Sequence, residues 1–252
     1  IHTSMKRFFL LLILSWPLLL MAQGEKITIS PDIELIPITE NCFIHVSYHS
    51  LPSYGRVGSN GVVYIDNGKA FLFDTPMTEA MTQTLVEWLG KEMKLQIVGF
   101  VPNHWHSDCT GGLAFLKKCG IPTYANQKTI DILSKENLPL PETAFNDSLT
   151  LWLNDKKVEC FYPGAAHAID NIVVWIPAEK ILFAGCMVKE VASATLGNTA
   201  DGDLSVYPAT IQRVKERYPE AKFVVPGHGL AGGKELVEHT LSMALRNKPS
   251  NQ

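Results

Sequence analysis

The sequence predicts an α/β fold: an αββα sandwich in which two mixed sheets pack face to face and carry helices on their outer surfaces. Three observations lead there. Apolar strand segments and amphipathic helices recur in the same order in two similar halves. Residues that carry chemistry recur where an apolar strand gives way to a loop. Proline and glycine are scattered without a linker-like cluster, so the halves are fused rather than separate domains. With 252 residues, 46% of them hydrophobic and 19% charged, the chain can bury a full core.

The elements follow in chain order. Residues 1–4 precede the first methionine and read as upstream sequence or a cloning scar. Residues 5–24 read as a secretory signal peptide: Met5-Lys6-Arg7 leads into "FFLLLILSWPLLLM", about 14 apolar residues, with cleavage after Ala22 or Gly24. That run is short of the roughly 18 residues needed to span a bilayer, so no stable membrane anchor is expected. The expectation is an exported, periplasmic protein whose mature part, 25–252, is a single domain. In the first half, "KITI", "IELIPI" and "CFIHVSY" read as strands. "GVVYIDNGKAFLFDT" reads as a hairpin turning at Asn67-Gly68. Met77, Met81, Leu85, Trp88 and Leu89 have the spacing of a helix with one buried face, and "LQIVGFVPNH" reads as a buried strand. In the second half, "SLTLWLNDKKVECFY" and "NIVVWIPAEKILFAG" are strand pairs and "YPATIQRVKERYP" is a helix. "KFVVPGH" is again a strand ending in a histidine, and "GKELVEHTLSMALRN" is a closing amphipathic helix.

The net charge of -3 comes without any run of lysines or arginines, which argues against a nucleic-acid partner. Export makes cysteine pairing the default, yet Cys42, Cys109, Cys119, Cys160 and Cys186 are odd in number and irregularly spaced. At least one thiol has another fate, and metal ligation is one such fate.

The stretch "NHWHSDCTGG" supplies the candidate partners. On an extended segment His104 and His106 point to the same side, and Asp108 continues the row as the chain turns into a helix with Thr110 near its beginning. Downstream, His167, Cys186 and His228 stand where strands give way to loops that one edge of the sandwich could gather. Imidazole and thiolate ligands with one carboxylate suit zinc, whereas calcium or magnesium would call for oxygen ligands. Six ligands exceed one tetrahedral site and fit two, each with an open position, which points to catalysis; a closed structural site would more often use paired cysteines, and no CxxC occurs. His45, His49 and His239 lack ligand-type neighbours at useful spacing and read as packed histidines.

These residues carry a resemblance. "HWHSD", "GAAHAIDNIVVW", "FAGCMVK", "LGNTADGD" and "VVPGHG" resemble the zinc-site motifs of the class B β-lactamases, in their first subclass of broad-spectrum di-zinc enzymes. The likeness runs from about residue 26 to residue 248, and "PNHWH", "DC" and "YANQ" are similar to Bacteroides-type members. It implies the metallo-β-lactamase fold, with His104, His106 and His167 on one zinc and Asp108, Cys186 and His228 on a second. It implies hydrolysis of penicillins, cephalosporins and carbapenems by zinc-activated water, and hence antibiotic resistance, in a monomer whose partner is the small-molecule β-lactam. Asp108 would orient the water, Lys189 would hold the substrate carboxylate and Asn198 would lie near the lactam carbonyl.

The resemblance also makes residues 47–61 a flap over the metals, with Tyr54 covering the substrate; the alternative is a long hairpin turn. Asp74 is expected beneath the ligand loop. Three positions depart from the pattern: Ala166 stands for the usual glycine before the third histidine, Ala168 for a threonine or serine after it, and Cys109 for an arginine. Cys109 is thus either a thiol able to compete for metal or oxidise, or a small buried hydrophobe. Two other functions compete. A glyoxalase-type thioesterase would typically have a histidine where this chain has Cys109 and would bridge its metals with a further aspartate, whereas Cys186 joins the ligand set here. A non-catalytic exported zinc-binding protein would hold zinc without turnover.

Overall fold

Short alternating strands joined by tight turns build the first sheet of the structure, a computed structural model that describes residues 25–52 and 55–249. The leader with its cleavage positions, and Tyr54, lie outside those residues. Strands β1 (Ile27–Ser30), β2 (Ile33–Thr39), β3 (Cys42–Leu51), β4 (Gly55–Asp66) and β5 (Lys69–Phe73) form an antiparallel meander. Asn67 and Gly68 both adopt positive φ, 46° and 76°, the backbone that lets a two-residue turn follow the strand twist. Helix α1 (Glu79–Glu92) is capped by Thr78, whose hydroxyl accepts from the Met81 N–H, and buries Leu85 and Leu89. It returns the chain to β6 (Gln96–Val101), which pairs parallel to β5 and completes a six-stranded sheet.

Helices α2 (Ser107–Thr110) and α3 (Leu113–Lys118) follow, then β7 (Tyr124–Asn126), α4 (Gln127–Lys135) and β8 (Thr143–Phe145). The second sheet contains β9 (Ser148–Leu153), β10 (Lys156–Phe161), β11 (Val173–Ile176) and β12 (Ile181–Gly185). Helix α5 (Tyr207–Arg217) leads to β13 (Phe223–Pro226), which pairs parallel to β12, and α6 (Glu235–Arg246) closes the chain. The strand order is β13-β12-β11-β10-β9.

Three apolar layers make this an αββα sandwich. The middle one joins Ile44, Val62 and Phe73 of the first sheet to Val158, Phe183 and Val225 of the second. An outer layer packs Leu72 and Phe100 against Leu85, Leu89, Leu116 and Leu133 of the helices. The opposite one packs Leu182 and Val224 against Ile211 and Val237 of α5 and α6. Strand β5 is therefore buried on both faces, with Phe71 and Phe73 facing the second sheet and Leu72 facing α1.

Three local expectations change. The helix expected to begin near Thr110 is two helices broken at Gly111-Gly112. A Cβ at Gly111 would lie 2.2 Å from the Met77 carbonyl oxygen, and one at Gly112 would lie 2.1 Å from Thr82 Oγ1, so the α1 region packs directly on bare backbone. Residues 47–61 are mostly strand, since β3 runs to Leu51 and β4 starts at Gly55, because ladder pairing continues to Leu51↔Gly55. His104 and His106 are not on extended strand: β6 stops at Val101, and the Asn103 N–H leaves the ladder to donate to the Asp74 carboxylate. Helix α4 and the β7–β8 pair were not expected.

Candidate metal centre

Asn103 fixes the ligand loop first. Besides donating its N–H to Asp74, it donates its side-chain amide to the Ile172 carbonyl and accepts the Ile172 N–H at 2.9 Å, tying the loop after β6 to the second half. Asp74 is buried with φ 59°, a left-handed backbone held at a functional loop, and lies beneath that loop as expected. The hydroxyl of Thr110 donates to the carbonyls of Trp105 and His106, 2.9 and 3.0 Å away, and folds the chain into α2. Asp108 consequently faces the histidines from a helical turn.

The side chains converge. His104 Nε2 lies 2.8 Å from His106 Nδ1, and His167 Nε2 lies 3.3 Å from the same nitrogen. Asp108 Oδ2 is 3.3 Å from His228 Nε2 and 3.6 Å from Cys186 Sγ. Among the described residues, three metal-competent groups form, each with donor atoms within 4.8 Å: His104 with His106 and Asp108; Asp108 with Cys186 and His228; His104 with His167 and Cys186. Together they contain all six expected ligands as one continuous cluster. His45, His49 and His239 stand outside it; His45 Nε2 meets the Asp74 carbonyl at 3.1 Å and His239 Nε2 the Ser193 carbonyl at 2.9 Å.

The donor chemistry fits zinc. Ligand atoms on a tetrahedral zinc, with bonds of about 2.0–2.1 Å to nitrogen, are about 3.3 Å apart, close to the spacings here. Burial holds the pKa of His104 down to about 3 and lowers that of His167 as well, so both imidazoles are neutral and their lone pairs are free. Burial opposes ionisation of Asp108, but the hydrogen bond from His228 and the neighbouring histidines win and keep its pKa below the usual carboxylate range. Burial raises the pKa of the Cys186 thiol. The thiolate that zinc binds therefore needs a cation beside it.

Outer contacts set which nitrogen faces inward. His106 Nε2 lies 3.0 Å from Asp201 Oδ2, leaving Nδ1 for the cluster. His228 Nδ1 donates to the Gly58 carbonyl at 2.9 Å, leaving Nε2 toward Asp108. His104 Nδ1 lies 3.2 Å from Cys109 Sγ, so Cys109 is buried on the outer side of His104 with Asp74 beside it. His167 Nδ1 is buried and has no hydrogen-bond partner among the described residues, and the neighbouring Ala168 has no hydroxyl to offer one. Sequence reasoning missed Asp201, although it lies in the "LGNTADGD" motif. Gly58 left no signal to find, because its contribution is a backbone carbonyl.

The cluster floors a cleft of about 730 Å³ whose lining includes Leu51, Val57, Trp105, Lys189 and Asn198. The structure thus brings Lys189 and Asn198 to the same cleft as the ligands. The Lys189 N–H donates to Thr240 Oγ1 at 2.8 Å, anchoring that residue on α6, and burial lowers its ammonium pKa. Asn198 Oδ1 accepts the Ala200 N–H at 3.1 Å, which orients the side chain and leaves its amide N–H₂ as a donor. Leu51 and Val57 put the β3–β4 hairpin at the cleft's edge.

No family model matches the chain. Individual relatives do. It is 44% identical over 236 residues to the metallo-β-lactamase type 2 of Bacteroides fragilis, covering 94% of both chains. It is 37% identical to that of Pseudomonas aeruginosa, covering 86% of both. Among solved structures, the DIM-1 metallo-β-lactamase exposed to ceftazidime superposes with a TM-score of 0.82 at 38% identity, covering 86% of this chain and 98% of that one. A metallo-β-lactamase from Pontibacter korlensis gives 0.81 at 36% identity, covering 84% and 99%. Sequence likeness along nearly the whole chain, a shared fold and a cluster of metal-competent His, Asp and Cys side chains have one reading: the chain belongs to the class B metallo-β-lactamases, in their first subclass.

Proposed function

We propose that this protein hydrolyses the amide bond of β-lactams with two zinc ions, one held by His104, His106 and His167 and the other by Asp108, Cys186 and His228. The observation that carries the reading is the convergence of six zinc-type donors on the floor of one cleft whose wall holds a lysine and an asparagine. Bound zinc is a Lewis acid that polarises a carbonyl and lowers the pKa of water toward 7. The protein's own groups do the rest. The neutral imidazoles of His104 and His167 offer lone pairs without first losing a proton. Asp108, ionised at neutral pH, accepts a hydrogen bond from the attacking water and orients it. The Lys189 ammonium binds the substrate carboxylate, and the Asn198 amide N–H₂ donates to the lactam oxygen as negative charge develops there. Water adds across the C–N bond as that bond breaks: its oxygen ends in a new carboxylate on carbon, one of its protons ends on the former lactam nitrogen, and the other is released to solvent.

Around that chemistry the reading includes a periplasmic monomer with one domain at 25–252, released from a leader at 5–24, and a β3–β4 flap on which Tyr54 covers the substrate. Support for export is the basic-then-apolar start of the sequence. Among the described residues no helix is long and apolar enough to cross a membrane. In a host, the activity confers antibiotic resistance.

The test compares a penicillin, a cephalosporin, a carbapenem and a glutathione thioester, each assayed with zinc and again after a chelator. Chelator-sensitive hydrolysis of the β-lactams is the expected result. Turnover of the thioester alone would assign the protein to the glyoxalase-type chemistry, and zinc binding with no turnover would make it a binding protein.

A further inference from the structure

His45 stands outside the ligand cluster, yet it touches the frame on which the ligand loop is mounted. That frame is Asp74-Thr75, just after β5. The Asp74 carboxylate accepts the Asn103 N–H. The Thr75 N–H donates to the Cys109 carbonyl at 3.0 Å, and the Thr75 hydroxyl oxygen accepts the Gly112 N–H at 2.9 Å. His104, His106 and Asp108 lie in the chain between these clamps. The clamps depend on Asp74 keeping its φ of 59°, a backbone that persists only where neighbouring groups over-determine it.

His45 supplies one such group from two strands away. It lies on β3, and its ring crosses β4 at Gly61, its partner in the ladder, to reach the chain after β5. A Cβ on Gly61 would lie 2.0 Å from His45 Nε2, so the bare glycine is what lets the ring through to the Asp74 carbonyl, 3.1 Å from that nitrogen. Burial lowers the pKa of His45 to about 4, which leaves the ring neutral with one N–H. A carbonyl can only accept, so that N–H is on Nε2. Nδ1 is then buried and has no hydrogen-bond partner among the described residues. An apolar side chain would avoid burying a bare nitrogen; what the imidazole adds is the donor. The Asp74 carbonyl and the Thr75 N–H are opposite edges of one rigid peptide plane, held by His45 on one side and by the Cys109 carbonyl on the other. We infer that His45 is a positioning residue of the metal centre: its Nε2–H fixes the peptide plane between Asp74 and Thr75, and thereby where the ligand loop presents His104, His106 and Asp108. The inference rests on the metal reading proposed above and adds a residue to the machinery that holds the ligands.

The test loads the whole chain with cobalt(II) in place of zinc, because the d–d absorption of cobalt reports the arrangement of its ligands, which a loss of stability alone does not alter. His45→Leu removes the donor and keeps an apolar side chain in the space, whereas His45→Gln carries an amide N–H₂ at about the position of Nε2. Spectra and zinc–chelator competitions are recorded well below the melting temperature of each protein. His45→Leu is expected to change the cobalt spectrum and to give up zinc about tenfold more readily, the lower end of the cost of removing an outer support. His45→Gln should restore the parent spectrum and most of the affinity. If His45→Leu does not fold, His45→Thr serves in its place, since its hydroxyl is too short to span Gly61. A parent-like spectrum and competition curve in the variant without the donor, or equal impairment of that variant and His45→Gln, would overturn the assignment. A parent chain that binds neither cobalt nor zinc would remove the metal centre itself and the inference with it, a failure distinct from those two.

Discussion

Of the six proposed ligands His106 has the clearest outer support, because Asp201 holds its Nε2 at 3.0 Å while Nδ1 faces the cluster. Removing such a partner typically costs ten- to a hundredfold in metal affinity. Asp201→Ala is therefore expected to lose zinc about ten- to a hundredfold more readily in a chelator competition, with Asp201→Asn keeping part of the affinity through its remaining oxygen. Unchanged competition curves would make the contact incidental. In the proposed function Lys189 acts on substrate rather than on metal. A charge-assisted hydrogen bond of about 1.5–3 kcal/mol corresponds to roughly 10- to 150-fold in kcat/KM. Lys189→Ala should lose about that factor on a penicillin while binding as much zinc as the parent, and full activity in the variant would remove Lys189 from carboxylate binding. At this scale the sequence was most legible: His104, His106, Asp108, His167, Cys186 and His228 could be named from residue type and position after strands. The outer partners could not. Gly58 acts through a carbonyl, and Asp201 is a loop carboxylate like many others until the fold puts it beside His106.

Element by element, periodicity recovered the strands and the long helices, since β5, α1, α5 and α6 bury residues at the spacing their pattern shows. It did not recover α4. Its nine residues are too few for a helix to be stable alone, so the element depends on tertiary contacts that a local pattern does not contain. One contact is the cap: Asn126 Oδ1 accepts the Lys128 N–H at 3.0 Å while the same side chain donates to the Asn146 carbonyl. Another is Thr129, whose hydroxyl donates to the buried Asp170 at 2.8 Å, three residues beyond His167. Asn126→Ala is expected to lower stability by about 1–2 kcal/mol, and Tm by about 2–8 °C, in thermal unfolding. Asn126→Asp keeps the cap and should recover part of the loss. Identical melting of all three proteins would show that α4 needs no cap. The break at Gly111-Gly112 was equally hidden, because the reason for it is α1 and the Met77 segment lying against the backbone there.

On the scale of the whole molecule, the cluster joins the two sheets: His104 and His106 come from the loop after β6 and Asp108 from the helix α2 that follows it, whereas His167, Cys186 and His228 come from loops of the second sheet. A metal bound across that junction stabilises the folded chain by mass action, about 2.7 kcal/mol per site at a hundredfold excess over Kd. Zinc removal by a chelator should lower Tm by about 5 °C or more, reversed by added zinc; superimposable melts would mean that metal does not bridge the halves. The contact between Gly58 and His228 spans 170 residues of chain, and the Asn60 side chain reaches Pro226 and Gly229 over nearly the same separation. Closing loops of that length is entropically costly and slow, so these contacts form only after most of the chain has been made and collapsed. The segment after β13 thus joins His228 to ligand-type residues that lie far earlier in the chain. Any chain ending at or before β13 lacks His228 and with it the group of Asp108, Cys186 and His228, so metal held by that group would report a chain made past β13 and folded across both sheets.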